Sequence, residues 1–280
     1  MTVSTLAVKR SQTGWLLHEE GRQAQVKSYM WLYRTSGDAI HPLVLYDYQT
    51  SRTHTHPKDF LEKFKGYLHA DGYDGYHKLP SDIVVVGCWA HARRKFDEAL
   101  KAMPEKGRAG SPAKTGLGFI NALYELERRF AKLGASERYA ARKEQSLPLA
   151  EELFEWAINS GVLPGSYAGK AVNYLIGQRE YLMHVFLDGR LEFDNNRGER
   201  SIKPFVMGRK AWLFSNTPNG AKASAAIFSI VETAKENNLR IYDYIKYLFE
   251  QLPNITTAKI DDMLPWSDSL PNYVKVPTAY

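Results

Sequence analysis

Residues 67–96 read YLHADGYDGYHKLPSDIVVVGCWAHARRKF, and this stretch decides the fold class. Its residues 83–88 (IVVVGC) form the strongest strand signal in the protein. An unbroken β-branched run implies burial on both faces, as beside a parallel neighbour inside a sheet. Residues 67–71 (YLHAD) read as a brief strand stopped by Gly72, and residues 90–102 as a helix. Upstream, residues 28–34 (SYMWLYR) are aromatic-rich and partly alternating, a strand. Residues 42–48 (PLVLYDY) are its partner across a polar turn containing Gly37 and Asp38. Residues 57–65 (PKDFLEKFK) start with proline and read as a short amphipathic helix. Strand, strand, helix, strand, strand, helix is an α/β signature.

Downstream the character changes. Residues 104–118, rich in Gly, Pro, Lys and Ser, read as an exposed loop. Helices follow near 119–133, 147–160 and 167–187, a block that looks like a helical insertion. Residues 194–206 and 219–237 read as further helices separated by a strand-like 211–214, and 240–251 as the last helix. Pro204 should kink or end the first of these. Residues 253–280 hold four prolines and are expected to lie along the surface or to be partly disordered.

With 280 residues the chain can bury one large core or two small ones. No apolar run approaches the ~20 residues of a membrane span, and residues 1–9 lack the core of a secretory signal. The single cysteine, Cys88, cannot form an intrachain disulfide and fits a reducing cytoplasm. A formal net charge of +6 points toward a polyanionic partner. The charge is clustered. Residues 200–231 hold five basic residues (Arg200, Lys203, Arg209, Lys210, Lys222) and no acidic one. A second cluster, His91, Arg93, Arg94 and Lys95, follows the apolar run. Each run alone could be a solvated helix face; two, each near a candidate carboxylate, point to phosphate contact.

Asp71 ends a strand, and a carboxylate at the C-terminal edge of an α/β sheet is placed to hold a hard cation. The bland alternative is a turn-forming Asp before Gly. Glu199 falls in the first or second turn of a helix capped by Asp194 or Asn195, with Lys203 on its face; the bland alternative is a surface ion pair. His91 reads as a hydrogen-bonded or capping residue, with no Cys or second His at metal spacing. His54 and His56 read as a polar loop. No Gly-rich phosphate loop, G-x-S-x-G or C-x-x-C is present.

Taken in order, residues 28–34, 69–76 (HADGYDGY), 87–96 (GCWAHARRKF), 194–203 (DNNRGERSIK), 208–218 (GRKAWLFSNTP) and 220–237 (GAKASAAIFSIVETAKEN) resemble the insertion-sequence-66 transposases, a bacterial DDE family. The resemblance runs from about residue 17 to about residue 271. It implies a ribonuclease-H-like mixed sheet with helices, spanning residues 1–234, with a helical insertion at about 103–190 before the last catalytic carboxylate. A C-terminal transposase segment then covers 235–273. It implies two Mg²⁺ or Mn²⁺ ions, with Asp71 and Glu199 as the second and third carboxylates. Arg200, Lys203, Arg209 and Lys210 would flank DNA phosphates. DNA is the implied partner, with a second copy of the chain or a full-length transposase beside it. The departure is at the front: Arg10 and Ser11 stand where the family's first carboxylate belongs. Glu19 and Glu20 lie about 30 Å further along an extended chain. The implied protein is an N-terminally truncated transposase with impaired catalysis. The alternative is a non-catalytic DNA-binding regulator or inhibitor of a full-length relative.

Overall fold

The strand signals of residues 28–34 and 42–48 are realised as an antiparallel pair, β2 (Tyr29–Thr35) and β3 (Val44–Gln49), in register from Tyr29↔Gln49 to Arg34↔Val44. β1 (Thr2–Ala7), not anticipated in that polar stretch, pairs antiparallel with β2 from Val3↔Thr35 to Ala7↔Trp31. The computed structural model describes residues 2–7, 21, 28–212, 217–254 and 257–277, with backbone alone for 2–7, 209–212 and 257–258. These strands belong to a discontinuous unit that joins Val3–His56 to Gly198–Tyr280; Pro57–Arg197, with the first two residues, makes the other unit. The class is α/β, mostly helical with small sheets. The helix expected over 57–65 is a single short α1 (Thr55–Phe60). Leu61 is buried while Phe60 stays 43% exposed, so the apolar face is too small to hold further turns.

In the continuous unit, β4 (Gly66–Ala70) and β5 (Ile83–Gly87) pair in parallel, from Gly66↔Ile83 to Ala70↔Gly87. α2 (Trp89–Lys101) buries Trp89, Ala92, Phe96 and Ala99, one stripe at helical spacing. The loop expected over 104–118 is cut short by α3 (Pro112–Phe130). Ser111 caps it by accepting from the Lys114 N–H at 3.3 Å, and Pro112 occupies the first turn, where its missing N–H costs nothing. α4 (Ala135–Ala141), also unforeseen, runs through a π turn at Arg142–Ser146 into α5 (Leu147–Asn159). α6 (Tyr167–Gly177) and α7 (Arg179–Met183) complete the unit's helices. Their core joins Val86, Trp89, Phe96, Ile120, Leu123, Phe154, Leu175 and Phe186. Each large side chain buried there contributes roughly 1.5–3 kcal/mol. Arg142, also buried, forks onto Glu127 at 2.9 and 2.7 Å and donates to the carbonyls of Val185 and Asp188. The fork ties α3 to the segment after α7.

The chain re-enters the first unit through α8 (Asn196–Ser201) and α9 (Lys203–Trp212). The break between them is where Pro204 demands one: proline sits in the first turn of α9, as it cannot continue α8. The strand expected at 211–214 is not there for Ala211 and Trp212, which close α9; residues 213 and 214 lie outside the described residues. α10 (Pro218–Glu236) lies along β3. The Val44 N–H donates to Thr233 Oγ1 at 3.1 Å, the Thr233 hydroxyl donates back to the Val44 carbonyl at 3.0 Å, and the Tyr46 N–H donates to Ser229 Oγ at 2.8 Å. α11 (Ile241–Gln251) follows. The tail expected on the surface is instead packed at Leu270 and Val274, both buried, and the Arg240 N–H donates to the Val274 carbonyl at 2.8 Å. Among the described residues no helix is long and apolar enough to cross a membrane.

Candidate functional site

The parallel pair sets the geometry. Asp71 and Cys88 each stand one residue beyond the last registered partners, Ala70 and Gly87, so they are neighbours at the C-terminal edge of β4 and β5. Asp71 is half-buried, and its carbonyl accepts the Tyr73 N–H at 2.7 Å in the turn that follows. Gly72 lies close against α6, where a Cβ would stand 2.7 Å from the Tyr174 hydroxyl. Burial pushes the Tyr174 hydroxyl above its ordinary pKa; the charges of Cys88 and Asp71 push it further and Arg94 opposes them. Tyr174 therefore stays a neutral hydroxyl among a carboxylate, a thiol and a guanidinium.

Cys88 is buried, and its Sγ accepts the Asn195 N–H at 3.2 Å. The His91 N–H donates to the Cys88 carbonyl at 3.1 Å, and Cys88 Sγ lies within 4.8 Å of a His91 ring nitrogen. This corrects the expectation that no cysteine stands at ligand spacing from His91. Residues i and i+3 share a helix face, and Cys88 occupies the N-cap position of α2. His56 bonds Ser51 at 2.8 Å and Thr53 bonds Thr55 at 2.7 Å; the stretch is polar as expected, but Thr55 and His56 open α1 and are not in a loop. Trp89 stacks on Phe193 with centroids 5.1 Å apart and takes the Phe193 carbonyl on its backbone N–H at 3.3 Å. This anchors the approach to α8. Asp194 accepts the Asn196 N–H at 3.0 Å and the Tyr124 hydroxyl at 3.1 Å.

Arg93 and Arg94 are exposed on α2 and line an open cleft of about 670 Å³ whose other wall is α3. Arg93 Nε donates to Asn121 Oδ1 at 2.8 Å, and Tyr124 and Arg128 line the same cleft. Sequence reading passed over the α3 residues because nothing local marks them; their i, i+3, i+7 spacing was the available signal.

Glu199 belongs to the discontinuous unit, in the first turn of α8 and half-buried. Its helix is fixed from below. Ser201 Oγ accepts from buried Arg34 of β2, which also pairs with Glu236 of α10 at 3.0 Å, and the Ser201 carbonyl accepts the Tyr46 hydroxyl of β3. Arg200 and Lys203 are exposed, and among the described residues no ion pair joins Glu199 to Lys203. Arg209 and Lys210 lie in α9 with their side chains outside the described residues, as are Arg10, Ser11, Glu19 and Glu20 altogether.

Carboxylate oxygens are the donors that Mg²⁺ and Mn²⁺ select, whereas a buried thiol and an imidazole suit softer ions. Asp71 and Glu199 therefore fit a hard divalent ion in donor type. Cys88 does not, and within the continuous unit Asp71 alone is short of an octahedral oxygen set.

No solved structure matches the chain. Among curated proteins, protein y4hP of Sinorhizobium fredii is 27% identical over 256 residues, covering 85% of this chain and 46% of its own length. Protein y4qI of the same organism is 29% identical over 264 residues, covering 88% and 48%. The chain thus spans about half the length of the curated relatives it matches. The model of the transposase IS66 family matches residues 11–223, and that of the IS66 C-terminal element matches residues 229–266. With most of its length matched in that order, the chain belongs to the IS66 family of transposases.

Proposed function

We propose that this chain is a DNA-binding transposase domain of DDE type, built on a ribonuclease-H-like fold, whose strand cleavage and joining are impaired. The proposed catalytic domain is residues 1–234 with its helical insertion at about 103–190, followed by a C-terminal segment at 235–273. The observation that carries the reading is the place of Asp71, at the C-terminal edge of a parallel strand pair, where it and Arg94 both act on the Tyr174 hydroxyl. A carboxylate there suits a hard cation, and a guanidinium acting on the same hydroxyl suits a phosphodiester.

Asp71 and Glu199 would hold Mg²⁺ or Mn²⁺, which in such sites lowers the pKa of the attacking hydroxyl and stabilises the leaving oxygen. In cleavage, an O–P bond forms from water, the P–O3′ bond breaks and the 3′ oxygen takes a proton. The chain's own residues supply position. Arg93, Arg94, Arg200, Lys203, Arg209 and Lys210 take up backbone phosphates, and Tyr174 holds the rim at Gly72. Impairment follows from Arg10 and Ser11 at the positions matched to the first carboxylate. A guanidinium there repels a dication.

The test is Mn²⁺ binding by the full chain, followed by Mg²⁺- or Mn²⁺-dependent nicking of DNA carrying an element's ends. Mn²⁺ should bind weakly, Asp71→Asn and Glu199→Gln should each weaken it further, and nicking should be absent or slight. Robust nicking abolished by Asp71→Asn would overturn the impairment and leave an active transposase. Mn²⁺ binding indifferent to both substitutions would overturn the site.

A further inference from the structure

We infer that the open cleft between α2 and α3, walled by Arg93, Arg94 and Arg128, binds a DNA phosphodiester, so that the helical insertion is itself part of the DNA interface. The inference rests on the reading of the chain as DNA-binding and adds to it the α3 wall with Arg128, which that reading does not name.

Charge is the first argument. Three guanidinium groups line the cleft against one carboxylate, Asp97, which is already engaged by Lys101 at 2.7 Å. Arg93 donates to a neutral amide, Asn121, and among the described residues it pairs with no carboxylate. The contact orients the guanidinium without cancelling its charge. Arg128 pairs with Glu125 three residues earlier, but both side chains are mostly exposed. Such a pair contributes little and exchanges readily for a phosphate. Arginine forks match phosphate oxygens two at a time, which favours a phosphodiester over a smaller or less regular anion.

Shape is the second. Arg93, Arg94 and Asp97 come from successive turns of α2, and Asn121, Tyr124 and Arg128 from one face of α3. The cleft of about 670 Å³ lies within the range of ligand-sized clefts and is open to solvent. Tyr124 lies at its base, its hydroxyl donated to Asp194 at 3.1 Å. Burial first, and the Asp194 charge next, raise the pKa of that hydroxyl, so it presents no negative charge to a phosphate. Packing holds the walls together: Gly116 of α3 lies against the Phe96 ring of α2.

The experiment is a salt titration of binding by the full chain to a short labelled duplex of arbitrary sequence, read by fluorescence anisotropy. Arg93→Ala and Arg128→Ala should each weaken binding and lower the slope of log K against log salt by about 0.9, the value of one phosphate contact. Arg129→Ala, one residue along α3 and also exposed, should leave affinity and slope unchanged. Asp97→Asn should tighten binding about threefold, since it removes a charge ~6 Å from the phosphate in a water-like dielectric; a gain cannot come from misfolding. Parental slopes in Arg93→Ala and Arg128→Ala, or an Arg129→Ala loss equal to that of Arg128→Ala, would overturn the cleft while DNA binding stands. Displacement by polyglutamate as effective as by unlabelled DNA would assign the cleft to an acidic polypeptide and overturn it too. No binding by the parent chain at ~50 mM salt would overturn the DNA reading and the cleft together.

Discussion

At the residue scale, Tyr244 shows how a single buried hydroxyl can set a pH limit. It stands in α11 at 2% exposure and donates to the Met263 carbonyl at 2.8 Å. Burial is the main cause, and the neighbouring Tyr247 the lesser one, of a pKa pushed up from 10.0 to about 12. The folded state thus keeps a proton that the unfolded chain gives up near pH 10. The associated stability is complete below pH 10 and is lost as pH rises toward 12, a loss of about 3 kcal/mol for two pKa units. Urea unfolding at pH 9, 10 and 11 should therefore show stability falling, and Tyr244→Phe should fall less steeply by one proton's worth. Tyr244→Phe should also start lower by about 1 kcal/mol, the cost of the lost hydrogen bond. An unchanged slope would show that the Tyr244 hydroxyl is not the group that titrates.

At the element scale, the packing of α2 on α3 turns on Gly116. A Cβ at this position would stand 2.3 Å from the Phe96 ring, which is fully buried and has nowhere to go. Gly116→Ala gains up to about 1 kcal/mol of helix propensity. It also overpacks the contact, at a typical cost of 1–3 kcal/mol. The net should be destabilising, read as a lowered denaturation midpoint, whereas Gly118→Ala, which meets open space, should stabilise. The same residues explain what the sequence hid. Gly116, Gly118, Pro112 and Ser111 gave residues 104–118 a loop composition, although Ser then Pro is also how a helix begins. Tertiary packing decided between the two. β3 and α2 were legible because burial there repeats with a clear period, two for β3 and near 3.6 for α2, whereas β1 was not foreseen. α4 was not, since it has no buried residue to give it a stripe. Ala211 and Trp212 read as strand, yet they close a helix that begins eight residues earlier.

At the scale of the molecule, the largest hydrophobic core among the described residues lies wholly within residues 57–197, and apart from the first two residues that unit is one run of chain. A fragment of residues 57–197, near the usual size of a domain, should fold alone and unfold cooperatively in urea. A fragment with helical circular dichroism but a non-cooperative transition would show that this core is insufficient. Division into units also marks how far the site was legible. Asp71 and the residues around it were found from a strand's end and a helix's start, which are local. The α3 wall of the cleft was not, because which helix faces another is settled by the whole core. The discontinuous unit has a different consequence, which lies in the order of synthesis. The backbone N–H groups of Val44 and Tyr46 are satisfied by Thr233 and Ser229, 189 and 183 residues later. At ~5–20 residues per second, a ribosome delivers those partners roughly 10–40 s after the strand emerges. Throughout that interval β3 offers an open edge to any other nascent chain. A pause in translation anywhere in the intervening unit lengthens the exposure, so codon speed over residues 57–197 governs how much of the protein escapes aggregation.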